Sequence, residues 1–398
     1  MIELAVVLGA IPVGILLYSY FIYPLGLWLV SRLRPPPTPL KESAEWPRIT
    51  ITVPCYNEEG SIGATIESLL ALDYPGDNRH LLVVSDASTD RTDDIVLSYA
   101  DRGVELLRLP RRGGKTAAEN AAVDRLQGEI VVNADATVRI VPGSLKPLVA
   151  VFQDPTVGVA SGRDVSAGDT RSTGNRGESG YVGYEMWIRS LETMLGGIVG
   201  ASGCFFATRR TLCDGAFPED LSRDFASCLI AREQGFRAVS VDAALAVVPR
   251  APNLRVEYRR KVRTMARGLA TLRFKRHLLN PFRYGRFSVM LASHKLGRWL
   301  LQLTMPLLLV AALLLVVGIP WTAYWVLVCL AACAVAAILS WWWPAGSPMP
   351  RAIAAPGYLI WSNVAGFMAW VKFFRGEKNP IWEPTRRPDP TVQGLSDS

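Results

Sequence analysis

Arg48-Ile49-Thr50-Ile51-Thr52-Val53-Pro54-Cys55-Tyr56-Asn57-Glu58-Glu59 sets a β-rich run directly against a polar turn. Residues branched at Cβ favour a pleated strand, and Pro54 predicts its end. The same grammar returns downstream. His80-Leu81-Leu82-Val83-Val84 ends at Ser85-Asp86, and Glu129-Ile130-Val131-Val132 ends at Asn133-Ala134-Asp135. A further strand is expected over residues 104–109. Between these runs the period changes. Residues 61–71 carry Ile62, Ile66, Leu69 and Leu70 on one helical face, with Ser61 as a candidate N-cap. Residues 92–99 and the alanine-rich 116–126 also read as helices. Strands alternating with helices predict an α/β fold, a mostly parallel sheet with helices on both faces. The polar, glycine-rich residues 162–180 read as a mobile surface loop.

Outward from this domain, the chain turns apolar at both ends. Residues 4–30 are almost wholly apolar, longer than the ~20 needed to cross a bilayer. No small-residue cleavage site follows, so residues 1–31 read as a transmembrane helix rather than a leader. Arg32, Arg34 and Lys41 place its C-terminal end in the cytoplasm. Pro35, Pro36, Pro37 and Pro39 make residues 32–47 a stiff linker to a cytoplasmic domain over 48–275. Residues 276–298 hold Arg276, Arg283, Arg286, Lys295 and Arg298, a basic segment suited to a lipid surface. Two apolar runs joined at Gly318-Ile319-Pro320 predict a transmembrane hairpin over 299–343. The run at 352–372 is interrupted by Pro356, Gly357, Asn363 and Gly366. A full span there would put Lys372, Arg375 and Lys378 outside, against the positive-inside rule. An interfacial or re-entrant segment followed by a cytoplasmic polar tail, 373–398, is therefore expected.

The net charge of +8 suits nucleic acid, an acidic substrate or an anionic membrane face. Its placement beside the apolar runs favours membrane lipid, and no nucleic-acid partner is expected. The six cysteines form no Cys-x-x-Cys pair, and none of the three histidines lies at zinc-ligand spacing from them. The thiols read as reduced, which fits a cytoplasmic domain.

In open parallel sheets, ligands bind beyond the carboxyl ends of strands. Those ends carry Tyr56-Asn57-Glu58-Glu59, Ser85-Asp86-Ala87-Ser88-Thr89-Asp90 and Asp135-Ala136-Thr137. Each alone is ordinary turn chemistry; three at successive strand ends point to a binding site.

These segments, in this order, resemble the family 2 glycosyltransferases of the GT-A fold. The likeness runs from Val53-Pro54-Cys55-Tyr56 through Asp86, then Arg112-Gly113-Gly114-Lys115-Thr116-Ala117-Ala118-Glu119-Asn120, and on to Asp135-Ala136-Thr137. It continues with Gly200-Ala201-Ser202-Gly203, Arg223-Asp224-Phe225 and Arg260-Lys261-Val262-Arg263. The resemblance implies a Rossmann-like GT-A domain flanked by transmembrane helices, in a bacterial-type inner membrane, working in cell-envelope polysaccharide biosynthesis. It implies an inverting hexosyltransferase with Asp224 as catalytic base. Pro54, Tyr56, Glu58, Asp86, Lys115 and Asp135 would bind the donor nucleotide, a UDP-sugar being expected. Asp135, with Thr137, would bind Mg2+ or Mn2+. Gly203, Arg223, Arg260 and Arg263 would serve the acceptor side or gate the site. Several positions depart from the family pattern. Ser85 stands for an aspartate, Thr137 for the second carboxylate of Asp-x-Asp, and Arg223 for an acid. The Gln-x-x-Arg-Trp box has neither its glutamine nor its tryptophan.

The chemistry explains the residue types. A diphosphate leaving group needs its charge neutralised, and a hard divalent ion does this. An acceptor hydroxyl is a weak nucleophile and needs a positioned base. Sugar transfer to a polysaccharide or lipid-linked acceptor is thus the leading expectation. Single-sugar transfer to a polyprenyl phosphate is a second. A catalytically weak membrane scaffold, suggested by Ser85, Thr137 and Arg223, is a third.

Overall fold

The computed structural model describes residues 1–34, 45–167, 173–249, 253–344, 347 and 349–378. Most of the proline linker, residues 168–172 of the expected loop and the tail beyond 378 lie outside them. Helix α1 (Ile2–Leu17) runs through a π-helical turn, Tyr18–Ile22, into α2 (Tyr23–Ser31). The α/β domain begins with β1 (Ile49–Cys55), α3 (Ile62–Leu70), β2 (Arg79–Ser85), α4 (Thr92–Leu97) and β3 (Val104–Arg108). It continues with α5 (Lys115–Ala121), β4 (Ile130–Ala134), β5 (Arg139–Ile140), α6 (Leu145–Ala150) and β6 (Val157–Ala167). Then come α7 (Thr173–Leu195), β7 (Phe205–Arg209), α8 (Arg223–Glu233), β8 (Arg237–Pro249) and α9 (Leu254–Phe274). Two short helices, α10 (Pro281–Tyr284) and α11 (Arg286–Met290), lead through a second π-helical turn into α12 (Arg298–Gly318), α13 (Pro320–Trp342) and α14 (Arg351–Phe374).

The strands form one sheet of order β3-β2-β1-β4-β7-β6-β8-β5. The first four are parallel, as the alternation predicts. Beyond β4 the sheet is mixed. β7 runs antiparallel to β4 and β6, β5 runs antiparallel to β8, and β6 pairs parallel with β8. Every residue of β1 is buried, which fits a central strand covered on both faces. Ile49, Ile51 and Val53 pack with Ile62, Ile66 and Leu69 of α3. On the opposite face, Thr50 donates to the Gln127 carbonyl at 2.6 Å and Thr52 to Asn133 Oδ1 at 3.1 Å. The Ile-Thr alternation thus fills one face and hydrogen-bonds the other. Leu82 and Val84 of β2 and Val131 of β4 pack with Ala117 and Ala118 of α5.

The loop expected at 162–180 is overturned. Residues 162–167 extend β6, with Arg163 to Ala167 in register with Leu245 to Pro249 of β8, and Thr173 opens α7. Gly162 is there for close packing. A Cβ would stand 2.5 Å from Phe205 and 2.9 Å from the Ala244 carbonyl. The helix expected at 116–126 ends earlier, at Ala121, with a 3-10 turn over Val123–Arg125.

Among the described residues, four helical stretches are long and apolar enough to cross a membrane: Ile2–Ser31, Arg286–Gly318, Ala323–Trp342 and Arg351–Phe374. Their contacts are not alike. α14 meets α12 and α13 near the ends that face the α/β domain. Trp361 Nε1 donates to the Ala337 carbonyl at 3.0 Å, and Trp370 Nε1 donates to the Trp299 carbonyl at 2.8 Å. Gly357 lies against Ser340, and Gly366 against Gln302. α9 runs beside it. Lys261 Nζ reaches Tyr358 Oη at 2.9 Å and Ser362 Oγ at 2.8 Å, and Arg273 lies over Phe373.

Gly128, with φ +84°, lies where an added Cβ would overlap the Arg48 carbonyl at the mouth of β1. Gly128→Ala should cost about 1–3 kcal/mol and lower the unfolding temperature of the purified protein. Gly143→Ala, which meets open space, should leave that temperature in place.

Candidate active site

The carboxyl ends of β1, β2 and β4 converge, and hydrogen bonds lock the loops that follow them. The Asp86 amide donates to the Cys55 carbonyl at 2.9 Å. Asn57 accepts from the Thr89 amide at 2.8 Å, and the Glu59 amide donates to Asp90 at 3.1 Å. Ser61 donates to Glu58 Oε2 at 2.6 Å, so Glu58 is buried at the start of α3. Burial works to raise Asp90, but the Thr92 hydroxyl and amide and the Glu59 amide hold its carboxyl below the usual range. Asn57 and Ala87 adopt left-handed backbone, φ 51° and 57°. For Ala87 this is a strained conformation immediately after Asp86.

Asp86 itself is buried, and each carboxylate oxygen accepts one backbone amide, Gly113 and Gly114, both at 2.7 Å. Gly114 has φ +92°, and a Cβ on Gly113 would stand 2.6 Å from Ala117. Only glycines let this loop fold onto Asp86. Just before it, the Arg112 guanidinium lies 3.8 Å from the centre of the Tyr56 ring. Just after it, Lys115 opens α5.

Lys115 Nζ reaches Asp135 Oδ1 at 2.5 Å and the Gly203 carbonyl at 2.7 Å. Burial pulls its pKa down, but Asp135 and Glu119 more than compensate and hold it above the ordinary lysine value. Asp224, in the first turn of α8, accepts from Ser222 Oγ at 2.6 Å. Its other oxygen would lie 3.0 Å from a Cβ at Gly203, so the glycine admits the carboxylate. Lys115, Asp135, Gly203 and Asp224 therefore meet at the strand ends. Asp135 and Thr137 share the turn closed by the Val138 amide on the Asp135 carbonyl.

The remaining expected residues have other partners. Arg223 donates to Asn120 Oδ1 at 2.6 Å and also reaches the Cys213 carbonyl, bracing α5 against the 213–217 segment. Arg260 forms a two-pronged ion pair with Glu257, at 2.8 and 2.7 Å. Arg263 lines a separate cavity with Arg267. Pro54 sits inside β1 in register with Val84.

Sequence reasoning missed four residues. Arg112 caps Tyr56. Glu119, one turn beyond Lys115, is buried with neither carboxylate oxygen hydrogen-bonded, and burial raises its pKa. Its signal was an acid inside an alanine-rich helix. Asp164 accepts from Ser202 Oγ at 2.6 Å; burial raises it, with the Ser202 hydroxyl opposing. Arg267 donates to Thr116 Oγ1 at 2.8 Å and to the Leu221 carbonyl, tying α9 to the helix that carries Lys115. It stands one helical turn past Arg263, on the same face.

Among the described residues, no group of three His, Cys, Asp or Glu side chains converges as a ready-made metal cage. Asp135 offers a single carboxylate. That donor set fits an ion held mainly by substrate phosphates and water, the usual habit of Mg2+.

Residues 50–216 match the Glycosyl transferase family 2 domain. A beta-monoglucosyldiacylglycerol synthase from Synechocystis sp. is 31% identical over 158 residues, 38% of this chain and 33% of that protein. An N-acetylglucosaminyltransferase from Rhizobium sp. is 28% identical over 246 residues, 56% of this chain and 54% of that one. The chain thus spans between a third and just over half of these relatives' length. A solved mannosyltransferase from Pyrobaculum calidifontis, in complex with GDP-Man and Mn2+, superposes with a TM-score of 0.71 over 95% of this chain and 99% of that one, at 23% identity. The strand order, the motifs in sequence and the match over residues 50–216 together show that this chain carries a family 2 glycosyltransferase domain on a GT-A fold.

Proposed function

We propose that this chain is an inverting membrane glycosyltransferase, moving a sugar from a nucleotide-sugar donor to a polysaccharide or lipid-linked acceptor. The observation that carries this reading is the meeting of Lys115 Nζ with Asp135 and the Gly203 carbonyl, with Asp224 beside Gly203. A cation and a candidate base then flank one point at the strand ends. In the proposed reaction the donor nucleotide lies along Tyr56, Arg112 and the Asp86-anchored loop, and Lys115 faces its diphosphate. Asp224 takes the proton of an acceptor hydroxyl as that oxygen bonds to the anomeric carbon. The bond from that carbon to the diphosphate breaks, its electron pair leaves with the phosphate, and the configuration inverts. Mg2+ or Mn2+ at Asp135, with Thr137 beside it, would add positive charge to the leaving group. The Mn2+ named with the Pyrobaculum enzyme supports that choice of ion. A UDP-sugar is the donor we propose. The sequence relatives are named for glucosyl and N-acetylglucosaminyl transfer, which supports a hexose. The product separates glycan or glycolipid synthesis from single-sugar transfer to a polyprenyl phosphate.

The same reading extends to the membrane. If α12 and α13 form a hairpin through the bilayer, their ends near Trp299 and Trp341 lie at the cytoplasmic face with α9. Because α14 touches both near those ends, we propose that it lies along that face and returns the chain to the cytoplasm. Its length and composition alone would allow a span; its partners favour the interface.

Purified protein with Mn2+ should release nucleoside diphosphate from its donor. Asp224→Asn should lower this at least ~100-fold while donor binding persists, and Asp135→Ala should lower it by a similar order. Undiminished release by Asp224→Asn would remove the base assignment. Absence of release with every common donor would favour the scaffold reading. For the topology, an impermeant thiol reagent on intact cells should label Trp321→Cys at the outer turn and spare Arg375→Cys. Labelling of Arg375→Cys would make α14 a span.

A further inference from the structure

Beside the active site, α9, the C-terminal end of α14 and the 218–221 segment enclose a cavity of about 480 Å³, within the size range of ligand pockets. Its charge is one-sided. Arg263, Arg267, Arg273, Arg276 and Lys378 line it, against Asp220 and Glu377. The two acids already have partners. Asp220 lies 3.5 Å from Lys378, and Glu377 lies 3.0 Å from Lys372. Five cationic side chains against two acids leave the lining net positive. Arg267 is largely desolvated. Burial lowers its pKa, and its Nε has no hydrogen-bond partner. An anion in the cavity would offset that desolvation by facing the guanidinium's charge.

The rim is apolar. Phe274 and Phe373 line the cavity, and Phe274 is 53% exposed. Phe374 and Phe282 nearby in sequence are 67% and 99% exposed. Basic side chains edged with exposed phenylalanines are the pattern of a surface that meets lipid headgroups. The position agrees. Trp370, one turn before Phe373, is hydrogen-bonded to the first turn of α12.

We propose that this cavity binds the phosphate of a membrane-lipid headgroup, through Arg263, Arg267, Arg273 and Arg276. The inference rests on the membrane placement argued above and not on which sugar is transferred. The headgroup would sit behind α5, since Arg267 joins the cavity wall to Thr116, next to Lys115. A lipid phosphate held there anchors the acceptor side of the enzyme to the bilayer at a fixed distance from the donor.

The test is native mass spectrometry of the full chain in neutral detergent, with phosphatidylglycerol or phosphatidylcholine of equal chain length added. Wild type should retain phosphatidylglycerol in preference. Arg273→Gln/Arg276→Gln, two exposed positions that the fold tolerates, should weaken that retention by on the order of fivefold for each charge removed. The control Arg283→Gln/Arg286→Gln, exposed and outside the cavity, removes the same charge and should retain the lipid. Equal retention by the Arg273/Arg276 variant would overturn the site. Equal loss in the control would replace it with a diffuse basic surface. Displacement of the bound lipid by inorganic phosphate at equal concentration would make it a site for soluble anions. The outcome is independent of turnover, and the thiol-labelling result judges the membrane placement separately.

Discussion

The hydrogen bonds from the Gly113 and Gly114 amides to Asp86 fix the geometry on which the rest of the site depends. A carboxylate that accepts two backbone amides at the end of a buried strand is a rigid anchor, since the strand cannot shift without breaking its register. The loop it holds has one exit, into the first turn of α5. That exit directs Lys115 toward the end of β4, where Asp135 waits. Two strand ends and one helix thus position a single ammonium group. Replacing either glycine would meet Ala117 or force a side chain into left-handed backbone, so the anchor and the loop must be kept together.

The electrostatics follow from this placement. Glu119, Asp135 and Asp224 all act on Lys115, and Arg223 and Arg267 are further cations near Glu119. A diphosphate entering beside three acidic side chains raises the local negative charge further. Lys115 meets part of that demand, because its acidic neighbours keep it protonated despite burial. In the proposed reaction, a divalent ion at Asp135 would meet the remaining demand. Glu119 stands apart. It is buried, close to the charges, and makes no hydrogen bond with its carboxylate.

The first half of the domain was legible because its signals are local. Ile49 to Val53, His80 to Val84 and Ile130 to Val132 are continuous strand formers, and each is closed by turn residues that also carry the site. The second half was not. Whether β7 runs with or against β4 depends on pairing between residues as far as 79 positions apart, Ile130 with Arg209, and no local period encodes that. Gly162 misled for a physical reason. Glycine marks both mobile turns and close packing, and here the space beside Phe205 decides it. Asp86, Lys115, Asp135, Gly203 and Asp224 were singled out from spacing and resemblance, and the fold sets Lys115, Asp135, Gly203 and Asp224 side by side. Arg112, Asp164 and Arg267 act through neighbours distant in sequence, Tyr56, Ser202 and Thr116, so their roles emerge only in the fold.

The start of α12 packs against the neighbour of the proposed base. Trp299 sets its ring edge-on against Phe225, 5.8 Å between centres, and Phe225 follows Asp224 in the chain. Lys295, on the preceding π-helical turn, lies over the same Phe225 ring at 5.9 Å. On the other side, a Cβ at Gly268 of α9 would stand 3.0 Å from the Trp299 indole, so α9 approaches α12 as closely as glycine allows. Trp299 is thus wedged between the helix that carries Asp224 and the helix that carries the arginines of the basic cavity. A tilt of α12 in a bilayer would move Phe225 and Gly268 together, because packed aromatic contacts of this kind transmit displacement and do not absorb it. In the proposed membrane placement, the spacing between Asp224 and the membrane face is therefore set by side-chain packing. In the proposed reaction, an acceptor approaching from the lipid would meet Asp224 at a height fixed by Trp299.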